Sequence, residues 1–182
     1  MRGKEAVTPS RREGRGTATF SGMEEIDRRI VALLAADGRM SFTDLAKRTG
    51  LSVSAVHQRV RRLEKRGVIR GYTALIDYDA IGLPLTAFIS IKPIDPAAPD
   101  DAPERLRHLA QIEACHSVAG DESYILKVRV PSPLALEELL QQIRAAANVS
   151  TRTIVVLSTP YEHRPPAIPI DEPPAGGDDA AG

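Results

Sequence analysis

Residues 41–67 read SFTDLAKRTGLSVSAVHQRVRRLEKRG, and this stretch decides the fold. Ser41 followed three residues later by Asp44 has the form of a capping box, in which a side-chain oxygen satisfies an orphan amide of the first helical turn. The helix it opens is expected over residues 42–48, with Leu45 and Ala46 inward. Gly50 suits the left-handed residue that stops such a helix. Ser52 then caps a second helix that runs to about Arg66 and ends at Gly67. Val53, Val56, Val60 and Leu63 form its inward stripe. Two helices joined by Arg48-Thr49-Gly50-Leu51-Ser52 have the form of a helix-turn-helix.

Working upstream, Ile26, Ile30, Leu33 and Leu34 follow the i, i+4, i+7, i+8 spacing of one buried helical face over residues 24–36. Ser21 and Glu24 are its expected capping box, and Asp37-Gly38 ends it. Residues 23–72 therefore read as a three-helix module. Opposite the core stripe of its third helix lie Ser54, Ala55, Gln58, Arg61, Arg62 and Lys65, flanked by His57 and Arg59. Slim polar groups toward one end reach base edges, and long cations toward the other reach phosphates. With the cap Ser52, the residues Ser52, Ser54, His57, Gln58, Arg59, Arg61, Arg62 and Lys65 are the candidate contacts to double-stranded DNA. A solvated amphipathic helix is the plain alternative; the tight turn before it and the local charge favour DNA.

The chain has 182 residues with 24 Lys+Arg and 24 Asp+Glu, a formal net charge of zero. That total disfavours a polyanionic partner until it is divided along the chain. Residues 1–22 hold five basic and two acidic residues, and residues 23–72 hold eleven and six. Residues 73–160 hold seven basic and eleven acidic residues, and residues 161–182 hold one and five. A basic N-terminal half thus precedes an acidic C-terminal half, as expected of two modules with different partners. Residues 1–22 show no apolar periodicity. Residues 160–182 carry six prolines. Both ends read as disordered extensions, one basic and one acidic. Met23, which opens the first periodic segment, is a second candidate start.

Several function classes drop out. With four Tyr, three Phe and no Trp, the chain lacks the stacking platforms of single-strand binders. A lone cysteine, Cys115, excludes a disulfide framework and a multi-cysteine zinc site. His57, His108, His116 and His163 show no metal spacing, and no phosphate-cradling glycine loop occurs. Cys115 and His116 are neighbours on an expected strand, so they point to opposite faces and cannot pair as nucleophile and base. Cys115 reads as a buried small residue. No catalytic residue, metal or cofactor is expected, and the chain is not read as an enzyme. The longest apolar run, residues 30–36, is too short to span a bilayer, so a cytoplasmic location is expected.

The second half alternates elements. Residues 67–76 read as a strand leaving the helical module, and residues 73–84 as the linker. Strands are expected over 85–91, 114–118, 124–130 and 149–158, with helices over 104–112 and 134–147. The order βαββαβ, over residues 85–160, gives a ferredoxin-like α+β sandwich. Its sheet has one face left to cover, so dimerisation is expected.

Taken together, Ile26-Asp27, Asp37-Gly38-Arg39, residues 45–52, 59–64 and 67–74, Gly120-Asp121 and Thr151-Arg152-Thr153 resemble the Lrp/AsnC (feast/famine) family of prokaryotic transcription regulators. The resemblance implies a winged or strand-linked helix-turn-helix joined to an αβ ligand-sensing domain. It further implies dimers that assemble into tetramers or octamers on the nucleoid, and a free amino acid bound near the Gly-Asp turn. On that basis Gly120, Asp121, Glu122, Ser123, Tyr124, Thr153 and Ile154 are the candidate effector residues. Acceptors on Asp121, Glu122 and Ser123 suit an ammonium group, and turn N–H groups suit a carboxylate. The turn departs from the Gly-Asp-aromatic-Asp of most members. Residues 96–103 and 117–124 look instead like the actinobacterial alanine-dehydrogenase regulators (AldR type), which implies alanine as effector. The rival class is an amino-acid-binding regulatory subunit of an enzyme, without specific DNA binding.

Overall fold

Local capping signals set the boundaries of the first three helices. In a computed structural model, which describes residues 23–169, they are α1 (Glu25–Ala36), α2 (Phe42–Thr49) and α3 (Val53–Lys65). Ser41 and Ser52 each accept a hydrogen bond from the amide three residues on, capping α2 and α3. Gly50 ends α2 at φ 72°, a backbone region that a side chain makes costly. Ile30, Leu45, Ala46, Val56, Val60 and Leu63 form the core of this unit, with Leu33, Leu34, Val68 and Ile69 against it. Fully burying one such Leu, Ile or Val contributes roughly 1.5–3 kcal/mol.

Three expectations for this unit change. The Ser21 half of the first capping box lies outside the described residues. Glu24 is itself the N-cap of α1, and its carboxylate makes no cap bond. Val53 is 46% exposed, because it sits in the first turn of α3, ahead of the core that begins at Val56. Residues 67–76 form no strand: the amides of Val68 and Ile69 bond to the Leu63 carbonyl, closing off α3 instead of joining a ladder. Tyr72, Leu75 and Ile76 beyond them are exposed.

The chain divides into two compact units, with the second running from Ala74 to His163. It comprises β1 (Leu85–Pro93), α4 (Ala102–Leu106), β2 (Ile112–Ser117), β3 (Tyr124–Val130), α5 (Pro133–Ala147) and β4 (Val149–Val155). The four strands make one antiparallel sheet in the order β2-β3-β1-β4, as the βαββαβ pattern requires. Ile89, Ile91, Leu126, Val128 and Val130 face the helices, meeting Leu106, Leu136, Leu139 and Ile143. Ser132 caps α5, and Asn148 ends it at φ 53°.

Helix α4 is shorter than its periodicity predicts. Ile112 leaves it to pair with Val128 in the sheet, across a bulge before Ala114. Edge pairing here outweighs helix propensity. Residues 74–84 are part of this second unit rather than a bare linker: the Tyr78 ring stacks 3.5 Å from the Arg129 guanidinium. On the same open sheet face Arg129 bonds Glu113 at 2.6 Å, and Lys127 bonds Glu113 and Glu162. Phe88 (38%) and Ile154 (58%) keep that face partly apolar and exposed. Cys115 is exposed rather than buried, because β2 is an edge strand. Partial desolvation, and then the Glu104 carboxylate, push its thiol pKa up. No helix among the described residues is long and apolar enough to cross a membrane, and none of their side chains cluster as a metal site.

Candidate nucleic-acid interface and ligand cavity

At 100° per residue, the buried stripe of α3 leaves Ser54, Gln58, Arg61 and Lys65 on the opposite side. All four are exposed, and neither Arg61 nor Lys65 takes part in an ion pair among the described residues. Ser52 and Ser54 face each other at 3.1 Å between hydroxyl oxygens, so Ser52 is occupied as a cap while Ser54 keeps bonding capacity. His57 lies on the flank toward α2, its ring edge-on to Phe42 at 5.1 Å between centroids.

Arg59 and Arg62 occupy the other flank, and the structure gives them partners that the sequence did not suggest. Arg59 Nη1 donates to Asp27 Oδ1 at 2.8 Å and to Glu24 Oε2 at 2.8 Å. Arg62 Nη2 donates to Asp27 Oδ2 at 2.9 Å and to Glu24 Oε1 at 3.5 Å. Asp27 is 1% exposed. Its hydrogen bond, and then that of Glu24, push the Arg59 pKa up. The expected DNA-contact set thus separates into an outward stripe and a pair of arginines already engaged with α1.

In the second unit an open cavity of ≈ 400 Å³ lies between the loop after β1 and the β2–β3 turn. Pro96, Ala98 and Asp100 form one wall, and Ser117, Gly120, Glu122 and Ser123 the other. Gly120 has φ 151°, where a side chain is strained. The Ser123 amide donates to the Ile91 carbonyl at 3.0 Å, tying the turn to β1. Tyr124 is 7% exposed in the core, and its hydroxyl donates to Asp100 Oδ1 at 2.6 Å, joining the two walls. That bond raises its phenol pKa to about 12.

Of the seven expected effector residues, Gly120, Glu122 and Ser123 line this cavity. Asp121 does not line it, and Tyr124 points into the helix-side core. Thr153 and Ile154 pair with Ile89 and Phe88, two and three residues further along β4 than Thr151, which sits opposite Ile91. Alternation then sends Thr153 and Ile154 to opposite faces. Sequence reasoning missed Asp100, Asp27 and Arg152; the Arg152 guanidinium lies 2.9 Å from Glu122 Oε1. An Asp-rich loop and an Arg in a Thr-Arg-Thr strand were the only signals available.

Comparison with known proteins agrees with this division. Residues 23–70 match a winged helix-turn-helix DNA-binding family, and residues 86–166 match the Lrp/AsnC ligand binding domain. The chain is 57% identical over 142 residues to the HTH-type transcriptional regulator LrpA of Mycobacterium tuberculosis, covering 78% of this chain and 95% of that protein. It is 40% identical over 140 residues to the leucine-responsive regulatory protein of Escherichia coli, covering 74% and 85%. A solved structure of a feast or famine regulatory protein from M. tuberculosis, complexed with L-methionine, superposes with a TM-score of 0.78 at 57% identity, covering 80% of this chain and 99% of that one. These relatives are named as regulators, not enzymes. With a helix-turn-helix at one end and the ligand-binding sandwich at the other, the chain belongs to the Lrp/AsnC family of transcriptional regulators.

Proposed function

We propose that this chain reads DNA sequence with α3 and adjusts its hold on DNA to a free amino acid bound beside the Gly120–Ser123 turn. One observation carries the DNA half: the outward stripe Ser54, Gln58, Arg61, Lys65 puts two hydrogen-bonding groups and two unengaged cations on one helical face. Ser54 and Gln58 suit base edges, Arg61 and Lys65 suit phosphates, and His57 stands at the margin.

For the effector half, a zwitterion needs an acceptor for its ammonium and a donor for its carboxylate. Glu122 supplies the first at the cavity wall. Arg152, 2.9 Å from Glu122, supplies the second; its side chain is 69% exposed, and a pair with so open an arginine is worth little, roughly 0–1 kcal/mol, so a ligand splits it at small cost. Asp121, Thr153 and Ile154 do not line this cavity, so the ligand reading rests on Glu122, Ser123 and Arg152, and the chain is proposed to dimerise through its open sheet face. Phe88 and Ile154 on the open sheet face support that dimerisation. The likeness of residues 96–103 and 117–124 to the alanine-dehydrogenase regulators makes alanine the first effector to test and an alanine dehydrogenase gene the first target. L-Methionine, present in the solved relative, is the second.

Footprinting on the chain's own gene neighbourhood, with calorimetry against the twenty amino acids, tests both halves. A protected site whose affinity changes with one amino acid is the expected result. Equal affinity for that site and for random duplex defeats the sequence-reading half. Heat from none of the amino acids defeats the effector half.

A further inference from the structure

The geometry points to a masking role for two carboxylates of the α1 N-terminus: Asp27 and Glu24 hold Arg59 and Arg62 away from DNA phosphates and so raise sequence selectivity. This makes Asp27 a specificity-determining positioning residue. It rests on α3 being the DNA-facing helix, as proposed above.

Asp27 is 1% exposed, and a buried carboxylate without partners is strongly unfavourable. Arg59 and Arg62, on successive turns of α3, complete it from one side at 2.8 Å and 2.9 Å. Their side chains remain 25% and 47% exposed, so the two guanidiniums stand at the flank of the reading face rather than inside the core. A free cation at that flank is a phosphate contact. Phosphate contacts attract every sequence alike, while base contacts discriminate. Each phosphate contact steepens the log–log salt dependence by about 0.9, which is roughly eight-fold in affinity at 0.1 M salt relative to 1 M. Engaging two cations with carboxylates therefore lowers affinity for random DNA and leaves Ser54 and Gln58 free to read bases. Glu24, 58% exposed, also places negative charge where a phosphate approaches that flank. One buried carboxylate gripping two residues of α3 further fixes the rotation of that helix, and so the aim of its outward stripe.

The test measures binding of the full chain to a random-sequence duplex, and to its footprinted site, between roughly 50 and 200 mM salt. The proteins are wild type, Glu24→Gln, Asp27→Asn, and Asp27→Asn combined with Arg59→Gln and Arg62→Gln. Releasing the guanidiniums is expected to steepen the salt slope on random duplex by up to about 0.9 for each one freed. The ratio of specific to random affinity is expected to fall, with a smaller change of the same sign for Glu24→Gln. The triple variant should return to the wild-type slope or below. A helix that had merely loosened would lose specific affinity without a steeper slope on random DNA, and that result overturns the inference. So does a steeper slope that survives in the triple variant. If Asp27→Asn fails to fold, Glu24→Gln carries the test, and an unchanged slope there overturns the inference. Wild-type protein that binds no duplex at all defeats the proposed function instead.

Discussion

Replacing Tyr124 with Phe deletes one hydroxyl, the one that joins the two walls of the ligand cavity. Its bond to Asp100 is short, at 2.6 Å, and charge-assisted. Hydrogen bonds to charged groups contribute about 1.5–3 kcal/mol. The phenol pKa rises from 10 to about 12, caused first by that bond and then by burial, so ionising the phenol costs roughly 2.7 kcal/mol more in the folded than in the unfolded chain. Asp100 is exposed and water takes over its solvation in the variant, so the lower value, about 1.5 kcal/mol, is the better expectation. For a unit the size of residues 74–163, that lowers the melting temperature by roughly 6–12 °C. The pH dependence has a definite sign. Folding favours the neutral phenol, so its contribution is present below the ordinary tyrosine pKa and is lost as pH rises toward about 12. The Phe variant lacks this alkaline loss. Tyr72, also pushed up by burial and by Glu64, belongs to the other unit and contributes equally to both proteins. Thermal melts from neutral to strongly alkaline pH follow the effect, and calorimetry follows the expected weakening of amino-acid affinity. An unshifted melting temperature with an unchanged alkaline limb refutes the reasoning.

Arg61→Ala and Lys65→Ala should each make the salt slope of DNA binding shallower by about 0.9, whereas Arg62→Ala, already engaged with Asp27, should change it far less. Equal effects from all three would contradict the two-flank description of α3. Gln58→Ala is expected to cost roughly 1–3 kcal/mol on the footprinted site and almost nothing on random duplex, measured by competition binding. Gly50→Ala, at φ 72°, should destabilise the helical unit by about 1–2 kcal/mol in urea titration; a midpoint equal to wild type would mean that the turn relaxes.

How much was legible follows from the range of the interactions. The helix-turn-helix is written in contacts between residues three or four apart. Ser41, Gly50 and Ser52 carry it, and each sits where local spacing placed it. Helix α5 was equally readable, from a regular apolar stripe. Residues 67–76 were harder, since a strand exists only if an edge accepts it, and in this chain the amides of Val68 and Ile69 turn back to Leu63 instead. Cys115 was misplaced for a related reason: strand pattern does not reveal which strand lies at the edge of a sheet.

The sequence by itself determined the two-part organisation, the outward helix face carrying Ser54, Ala55, Gln58, Arg61, Arg62 and Lys65, and the family. All of these rest on local periodicity and on motifs of adjacent residues. Only the tertiary structure decided which cations are free. Nothing in the local pattern assigns Asp27 a partner. It becomes buried because Arg59 and Arg62 arrive from 32 and 35 residues away to complete it. The same holds for Tyr124 and Asp100, joined across 24 residues at the cavity wall. Ion pairs and hydrogen bonds of that span depend on how helices and loops pack, and no periodicity in the chain encodes them.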